Sequence, residues 1–372
     1  MKKRLFGAIL ISLSFSISLW ANTQEPVDAS QEIVQSLKAE IQLLAKKKPY
    51  IPLDIPGADR PEVEKFRNHY LHSPKLAKRL YDDLESAQDY RIFVRKAVLD
   101  AELPLVLEYL PMVESNYNPN ARSKSGAIGL WQFMENSVSN FLVLNDFVDE
   151  RYDPWKETDA AIKKLKENYR FFNDWALALG AYNCGLGAMN RALKKSPVKD
   201  FWYLASHGYI SRQTADYVPK LLAIADLAIN SEYYGIDLPD HHEEFELLVN
   251  EKEGNFDYIK VKKAYSISQL AQEMKMDTKV LKRLNPSYVR GMTHPAKESL
   301  IRLPLGMEQS ALDALKQLTP IDFPFKYTVV KGDSLWSISR RFGVSLKSLC
   351  ETNDITENAI LKIGKILYIP SK

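Results

Sequence analysis

At 372 residues the chain is too long for one ordinary domain and suits a principal domain with smaller appendages. Its hydrophobic and charged fractions, 45% and 26%, exclude disorder, collagen and a long coiled coil. The formal charge of +3 includes Lys2, Lys3 and Arg4, so the remainder is near neutral, which argues against nucleic acid as a partner and against charge steering.

Those three basic residues are followed by an apolar run from Leu5 to Trp20, then Ala21 and the polar Asn22 to Asp28. This order predicts a signal peptide over residues 1–21, cleaved after Ala21, and a periplasmic product. Ser12, Ser14, Ser16 and Ser18 interrupt the run and disfavour a permanent span. Retention of the leader as an anchor, with an anchored or peripheral membrane association, is the alternative. Residues 22–60 read as an N-terminal segment and linker, a helical stretch ending at Lys46-Lys47-Lys48 and then a proline-rich run. Cys184 and Cys350 fall in different predicted domains, so no disulfide framework is expected.

Residues 61–101 predict lead-in helices, with Phe66, Tyr70, Leu76, Leu80, Leu84, Ile92, Phe93 and Val98 recurring at steps of three and four. Residues 102–234 continue as helical periods separated by polar breaks, without strand alternation. In this region Leu103-Pro104-Leu105 reads as a helix start, and the helix runs on to Val113 and Glu114. Leu110, Leu107 and Leu103 lie on the same face as Glu114. A carboxyl group closing an apolar stripe is desolvated, and desolvation raises its pKa as a general acid requires. Periodicity alone favours a plainer account, in which Glu114 marks where the helix leaves the core. Glu108 points elsewhere and is expected to be an ordinary solvated carboxylate. Cys184 is expected to pack rather than react, because no histidine lies near it in sequence. Trp131 is either core or a groove wall.

After Tyr234-Gly235 an internal repeat follows, residues 258–304 and 326–370. Val261, Ile267, Leu270, Met274, Met276, Leu281 and Asn285 match Val329, Leu335, Ile338, Phe342, Val344, Leu349 and Asn353. In the second copy Tyr327 to Val330 suits a strand, Gly332-Asp333 a turn, and Ser334 a cap for a helix carrying Leu335, Ile338 and Phe342. Gly343 ends that helix and Ser345 begins another, so each copy predicts strand, helix, helix, strand. Trp336 suits either a sugar platform or a core position.

Two resemblances attach to these residues. Glu114-Ser115-Asn116-Tyr117, then Gly126-Ala127-Ile128-Gly129-Leu130-Trp131-Gln132-Phe133, then Ala181-Tyr182-Asn183, then Tyr217-Val218-Pro219, resemble the four signature blocks of the soluble-lytic-transglycosylase (SLT, goose-lysozyme-like) family. The run Tyr327 to Ile338 resembles the LysM module, a binder of N-acetylglucosamine-containing glycans, while the first copy has Ala264-Tyr265 at the turn and resembles a degenerate one. Whether that first copy is a spacer or a glycan site stays open.

The implied fold is a mainly α lysozyme-like catalytic domain followed by two small α+β (βααβ) LysM-like modules. The resemblance implies cleavage of peptidoglycan glycan strands with Glu114 as catalytic acid and base, forming a 1,6-anhydromuramic end without metal or cofactor. It also implies support from Ser115, substrate contacts from Ser123, Gln132, Tyr182, Asn183 and Tyr217, and glycan binding by Gly332, Asp333, Ser334 and Leu335. Gly126 and Gly129 would turn the chain and let the backbone approach sugar. One rival is a hydrolytic muramidase pairing Glu114 with Asp146, Asp149 or Asp153, and the other is an inert glycan-binding scaffold. Protein partners are unspecified.

Overall fold

The computed structural model describes residues 49–370 apart from 139–140, 146, 240–255, 295–296, 322–324 and 354. The signal-peptide expectation, the predicted helix before Pro49 and Asp146 lie outside the described residues. No described helix is long and apolar enough to cross a membrane.

Helical periodicity becomes three lead-in helices, α1 (Pro61–Leu71), α2 (Pro74–Ser86) and α3 (Gln88–Asp100). Proline opens α1 and α2, where its missing N–H has no partner to lose. The stretch from Leu103 to Glu114 is not one helix. A 3-10 segment covers Leu105–Tyr109, and α4 begins at Leu110 and ends at Ser115. Pro111 explains the break: it cannot donate to a carbonyl four residues back, so a ladder begun near Leu103 cannot pass it, but it sits comfortably in the first turn of a new helix.

The rest of the helical domain consists of α5 (Pro154–Phe172), α6 (Trp175–Cys184), α7 (Leu186–Lys195), α8 (Phe201–Ser206), α9 (Arg212–Ile229) and α10 (Ser231–Tyr234). Asp153, Asp174 and Ser211 cap α5, α6 and α9 with side-chain acceptors. Helix α9 is the centre, apolar on most sides and packed on α1, α4, α6 and α8. Buried Asp226 on α9 pairs with Arg67 of α1 and accepts from Tyr234 at 2.7 Å and Asn230 at 2.9 Å, so the lead-in helices are bound into the same core.

Glu108 departs from the sequence expectation: it is fully buried, between Arg91 at 2.8 Å and Arg95. Those arginines stand one turn apart on α3 and converge on it. The spacing of the Glu108 segment contains no sign of this, because the partner charges lie on another helix.

Each repeat forms a two-stranded antiparallel sheet with two helices. The first comprises β1 (Phe256–Val261), α11 (Ile267–Glu273), α12 (Thr278–Leu284) and β2 (Ser299–Pro304). An unforeseen helix follows it, α13 (Glu308–Gln317), which packs on β1 and α11 through Ala311 and Ala314. The second comprises β3 (Phe325–Thr328), α14 (Leu335–Phe342), α15 (Leu346–Thr352) and β4 (Ile366–Ile369). Its first strand starts two residues earlier than the sequence suggests. Ser334 and Ser337 cap α14 reciprocally, Gly343 closes it with φ of 69°, and Ser345 accepts from Ser348 N–H at 2.9 Å.

The matching residues occupy matching places. Asn285 donates to the carbonyls of Leu281 at 3.0 Å and Arg302 at 2.7 Å and accepts from Arg302 N–H at 2.8 Å. Asn353 does the same with Leu349, Tyr368 and Tyr368 N–H, each at 2.8 Å. In each module one buried amide thus ties the second helix to the last strand.

Residues from Tyr50 onward form one unit. Arg302 on β2 pairs with Asp153 at 3.1 Å, both buried, and lies 4.3 Å over the ring of Trp155. Tyr368, its counterpart on β4, packs its ring 4.5 Å from that of Phe147. The same module position meets the helical domain in both copies, by charge in one and by an aromatic contact in the other.

Candidate active site

A cleft of about 680 Å³ opens where the end of α4, the 123–134 loop, α5, α6 and α9 meet. Glu114 enters it from the last turn of α4. Beyond Ser115 the chain turns sharply, with Asn116 and Tyr117 both left-handed at φ of 52° and 58°, and Tyr117 anchors the turn by donating to the carbonyl of Glu108. Leu107 and Leu110, which precede Glu114, are buried in the core, and Leu103 is partly buried against it. Tyr217 donates to Oε1 of Glu114. Burial pushes the carboxyl of Glu114 up to about 7, opposed by that hydrogen bond and by the charges of Lys164 and Lys220.

The sequence-derived residues fall into two groups. Ser123, Gln132, Tyr182, Asn183 and Tyr217 line the cleft with Glu114. Gln132 has φ of 54° and donates its amide to the carbonyls of Gly129 at 2.9 Å and Ala121 at 3.3 Å. Asn183 accepts from Thr214 at 2.9 Å, which leaves its NH2 end for an acceptor in the cleft. Tyr182 donates to the carbonyl of Trp131 at 3.1 Å, and the Ser123 hydroxyl accepts from Ala127 N–H at 2.9 Å. Ser115, by contrast, donates to the carbonyl of Leu130 at 2.7 Å, tying α4 to the loop that carries Gln132. Its hydroxyl therefore supports the frame of the site and not the carboxylate itself.

Trp131 is core, fully buried with its indole N–H donating to Thr158 at 2.8 Å. Cys184 is a half-buried cleft residue, and both cysteines are free thiols. Gly129 has a purpose within the fold itself. At φ of 89° a Cβ there would lie 2.0 Å from the carbonyl of Arg151 and 2.3 Å from the carboxylate of Glu157. Glu157 is fully buried and accepts from the N–H groups of Leu130 at 2.6 Å and Trp131 at 3.3 Å, so it holds the loop from beneath. Burial pushes its carboxyl well above the usual carboxylate range.

Sequence reasoning missed Glu157, Lys164 and Lys220. Lys164 lies in the run Lys163-Lys164-Leu165-Lys166, which resembles a solvated face, yet it is seven residues from Glu157 and so close to the buried stripe of α5. Lys220 is three residues after Tyr217 and shares its side of α9.

In the second module, Asp333 accepts from Val330 N–H at 2.8 Å and the Tyr327 hydroxyl at 2.7 Å, which fixes the Gly332 turn. Leu335 is buried in the module core, so only its backbone can meet a ligand, whereas Trp336 is 60% exposed.

Known proteins resemble the chain along most of its length. The model for the transglycosylase SLT domain matches residues 95–205, that for the LysM-like domain of lytic transglycosylase MltD residues 255–319, and that for the LysM domain residues 327–370. Membrane-bound lytic murein transglycosylase D of Escherichia coli strain K12 is 31% identical over 331 residues, covering 86% of this chain and 70% of that protein. A putative tributyltin chloride resistance protein of Alteromonas sp. strain M-1 is 31% identical over 128 residues, 34% of this chain and 62% of that one. A solved structure of lytic transglycosylase Slt from Pseudomonas aeruginosa, an inactive mutant, aligns with 39% of this chain and 24% of that one at 20% identity, with a TM-score of 0.32.

Proposed function

Because the chain belongs to the family of membrane-bound lytic murein transglycosylase D and is a peptidoglycan lytic transglycosylase, we propose that Glu114 alone serves its reaction as acid and then base. The observation that carries this reading is a carboxyl group in a sugar-sized cleft with its pKa raised to about 7 by burial and Tyr217 hydrogen-bonded to it. A substantial fraction of the enzyme then holds a transferable proton near neutral pH.

The protonated carboxyl gives that proton to the oxygen between the muramic and glucosamine units. The C–O bond breaks, and positive charge develops on the muramic anomeric carbon, which the sugar's own acetamido oxygen can stabilise. Glu114, now ionised, takes the proton from the C6 hydroxyl of the same sugar as that oxygen bonds to the anomeric carbon. The outcome is a 1,6-anhydro ring, with no water consumed. An internal hydroxyl in good orientation competes at an effective molarity on the order of 10⁵ M.

Support for a single carboxylate comes from the engagement of Asp149 and Asp153 elsewhere. Asp149 pairs in two places with Arg151, at 2.9 and 2.7 Å, and Asp153 caps α5 while paired with Arg302. Among the residues lining the cleft the other carboxylate is Asp216, half-exposed and 3.6 Å from Arg212. Substrate contacts are assigned to Ser123, Gln132, Tyr182, Asn183 and Tyr217. Glycan anchoring is assigned to the Gly332–Leu335 turn of the second module, and the periplasm is the compartment where this substrate lies.

Mass spectrometry of digested sacculi tests the mechanism. Muropeptides ending in 1,6-anhydromuramic acid are expected. Products heavier by one water, with reducing ends only, would overturn it.

A further inference from the structure

Lys164 on α5 and Lys220 on α9 line the cleft from two separate elements, and both act on Glu114 through their charge. Among the described residues neither forms an ion pair with a carboxylate, while Asp216 beside them is turned to Arg212. The Lys164 ammonium lies 4.5 Å over the ring of Tyr182, which lines the cleft with it, and 5.3 Å over that of Phe133. Burial pulls the pKa of both lysines down, which is the sign of cations short of a partner. Glu114 does not relieve them at the decisive moment, because as an acid it must be protonated and neutral. Two partly desolvated cations facing a neutral acid are an unfavourable arrangement unless a bound anion completes it.

The strand assigned above contains such an anion. Its glucosamine units are uncharged, but each muramic unit carries a lactyl ether whose carboxyl is either free or amide-bonded to a peptide stem that has carboxylates of its own. We infer that Lys164 and Lys220 form an anion subsite in the wall of the cleft that receives a carboxylate of the muramoyl substituent. Resting on the proposed function, this makes the pair a determinant of substrate choice: the enzyme reads the substituent at the unit it cuts, and an uncharged strand lacks the group that completes the site. Lys164 and Lys220 position the substrate and do not exchange protons with it.

Steady-state kinetics of the full chain on three matched strand preparations test the subsite. One bears intact stems, one has the stems removed so that lactyl carboxylates are free, and one has every carboxylate capped as a methyl amide. The wild type should show a KM roughly tenfold lower on one or both of the charged strands than on the capped one, as befits a charge-assisted hydrogen bond. Preference for stem-free strands identifies the lactyl carboxylate as the source, and preference for stem-bearing strands alone identifies the peptide.

In Lys164→Gln and Lys220→Gln the ratio of capped to charged KM should fall towards one, and Lys164→Arg should restore it. A fold defect or a shift in the acidity of Glu114 would lower turnover on all three strands alike and leave that ratio intact, which would overturn the inference. A wild type indifferent to capping would overturn it too. Anhydro ends from the capped strand would then still uphold the reading of Glu114, whereas their absence from all three would sink that reading instead.

Discussion

Tyr217 and Glu114 lie 103 positions apart in sequence and share a hydrogen bond, the phenol donating to Oε1 of the carboxylate. Burial raises the pKa of Glu114, and this bond opposes the rise by favouring the ionised form. Tyr217→Phe should therefore move the alkaline limb of the pH–rate profile further above about 7, with a rate loss of about tenfold from the misplaced carboxyl. A limb that moves to lower pH would show that Tyr217 does not stabilise the anion.

Glu114→Gln should abolish proton transfer and lower turnover by roughly 10² to 10⁴ or more, since one group serves both steps. It should also change stability in a definite direction. The folded-state pKa is raised from 4.5 to about 7, so the stabilising contribution is complete below the unfolded value and is lost as pH rises through the folded one. Relative to the wild type the variant should gain stability between pH 4.5 and 7, on the order of 1–3 kcal/mol, and then level off. Thermal melts across pH check this.

Arg302→Met leaves Asp153 buried without its partner at the junction of the first module and the helical domain. The expected loss is about 3–5 kcal/mol in thermal or denaturant unfolding, and Arg302→Met with Asp153→Asn together should lose less than the sum of the two. Additive losses would mean the two side chains do not interact.

Gly129→Ala should lower activity without touching the cleft. The added carbon collides with the Arg151 carbonyl and the Glu157 carboxylate, and the backbone there has a φ that alanine resists. The loop must then lift, and Gln132 moves with it. A rise in KM with an unchanged alkaline limb is the expected signature, because Glu114 lies on a different element.

Removing residues 326–372 should weaken binding to sacculi while sparing turnover of short soluble glycans, since the second module contributes local concentration. The deletion also uncovers Phe147, which packs on Tyr368, so it should be combined with Phe147→Ser. Unchanged affinity for sacculi would show that the module is not the anchor.

What was readable in the sequence follows the range of the signals. The caps at Ser334 and Gly343 and the register of the repeat are written within a few turns of chain, and local spacing reports them, whereas Leu103, Leu107 and Leu110 are buried or partly buried without sharing one helix with Glu114. The helix break at Pro111 is equally local, but Pro104 offers a competing start seven residues earlier. The burial of Glu108 is not legible in the sequence because only the fold brings Arg91 and Arg95 to it. Lys164 and Glu157 share one helix, but their functions come from a cleft and a loop made by other segments. Helix α13 lies beyond Pro304, where the repeat ends, so the second copy offers no counterpart that would signal it.

The amide clasps of Asn285 and Asn353 involve one interior side chain and the main chain, with nothing contributed by the turn between the first strand and first helix. A module closed in this way can hold one skeleton over two different turns. The two copies show the result: Gly332-Asp333 in one and Ala264-Tyr265 in the other, over the same skeleton. The clasp and the turn are thus separate parts of the module, and a different turn, even one that buries Ala264, leaves the clasp as it is.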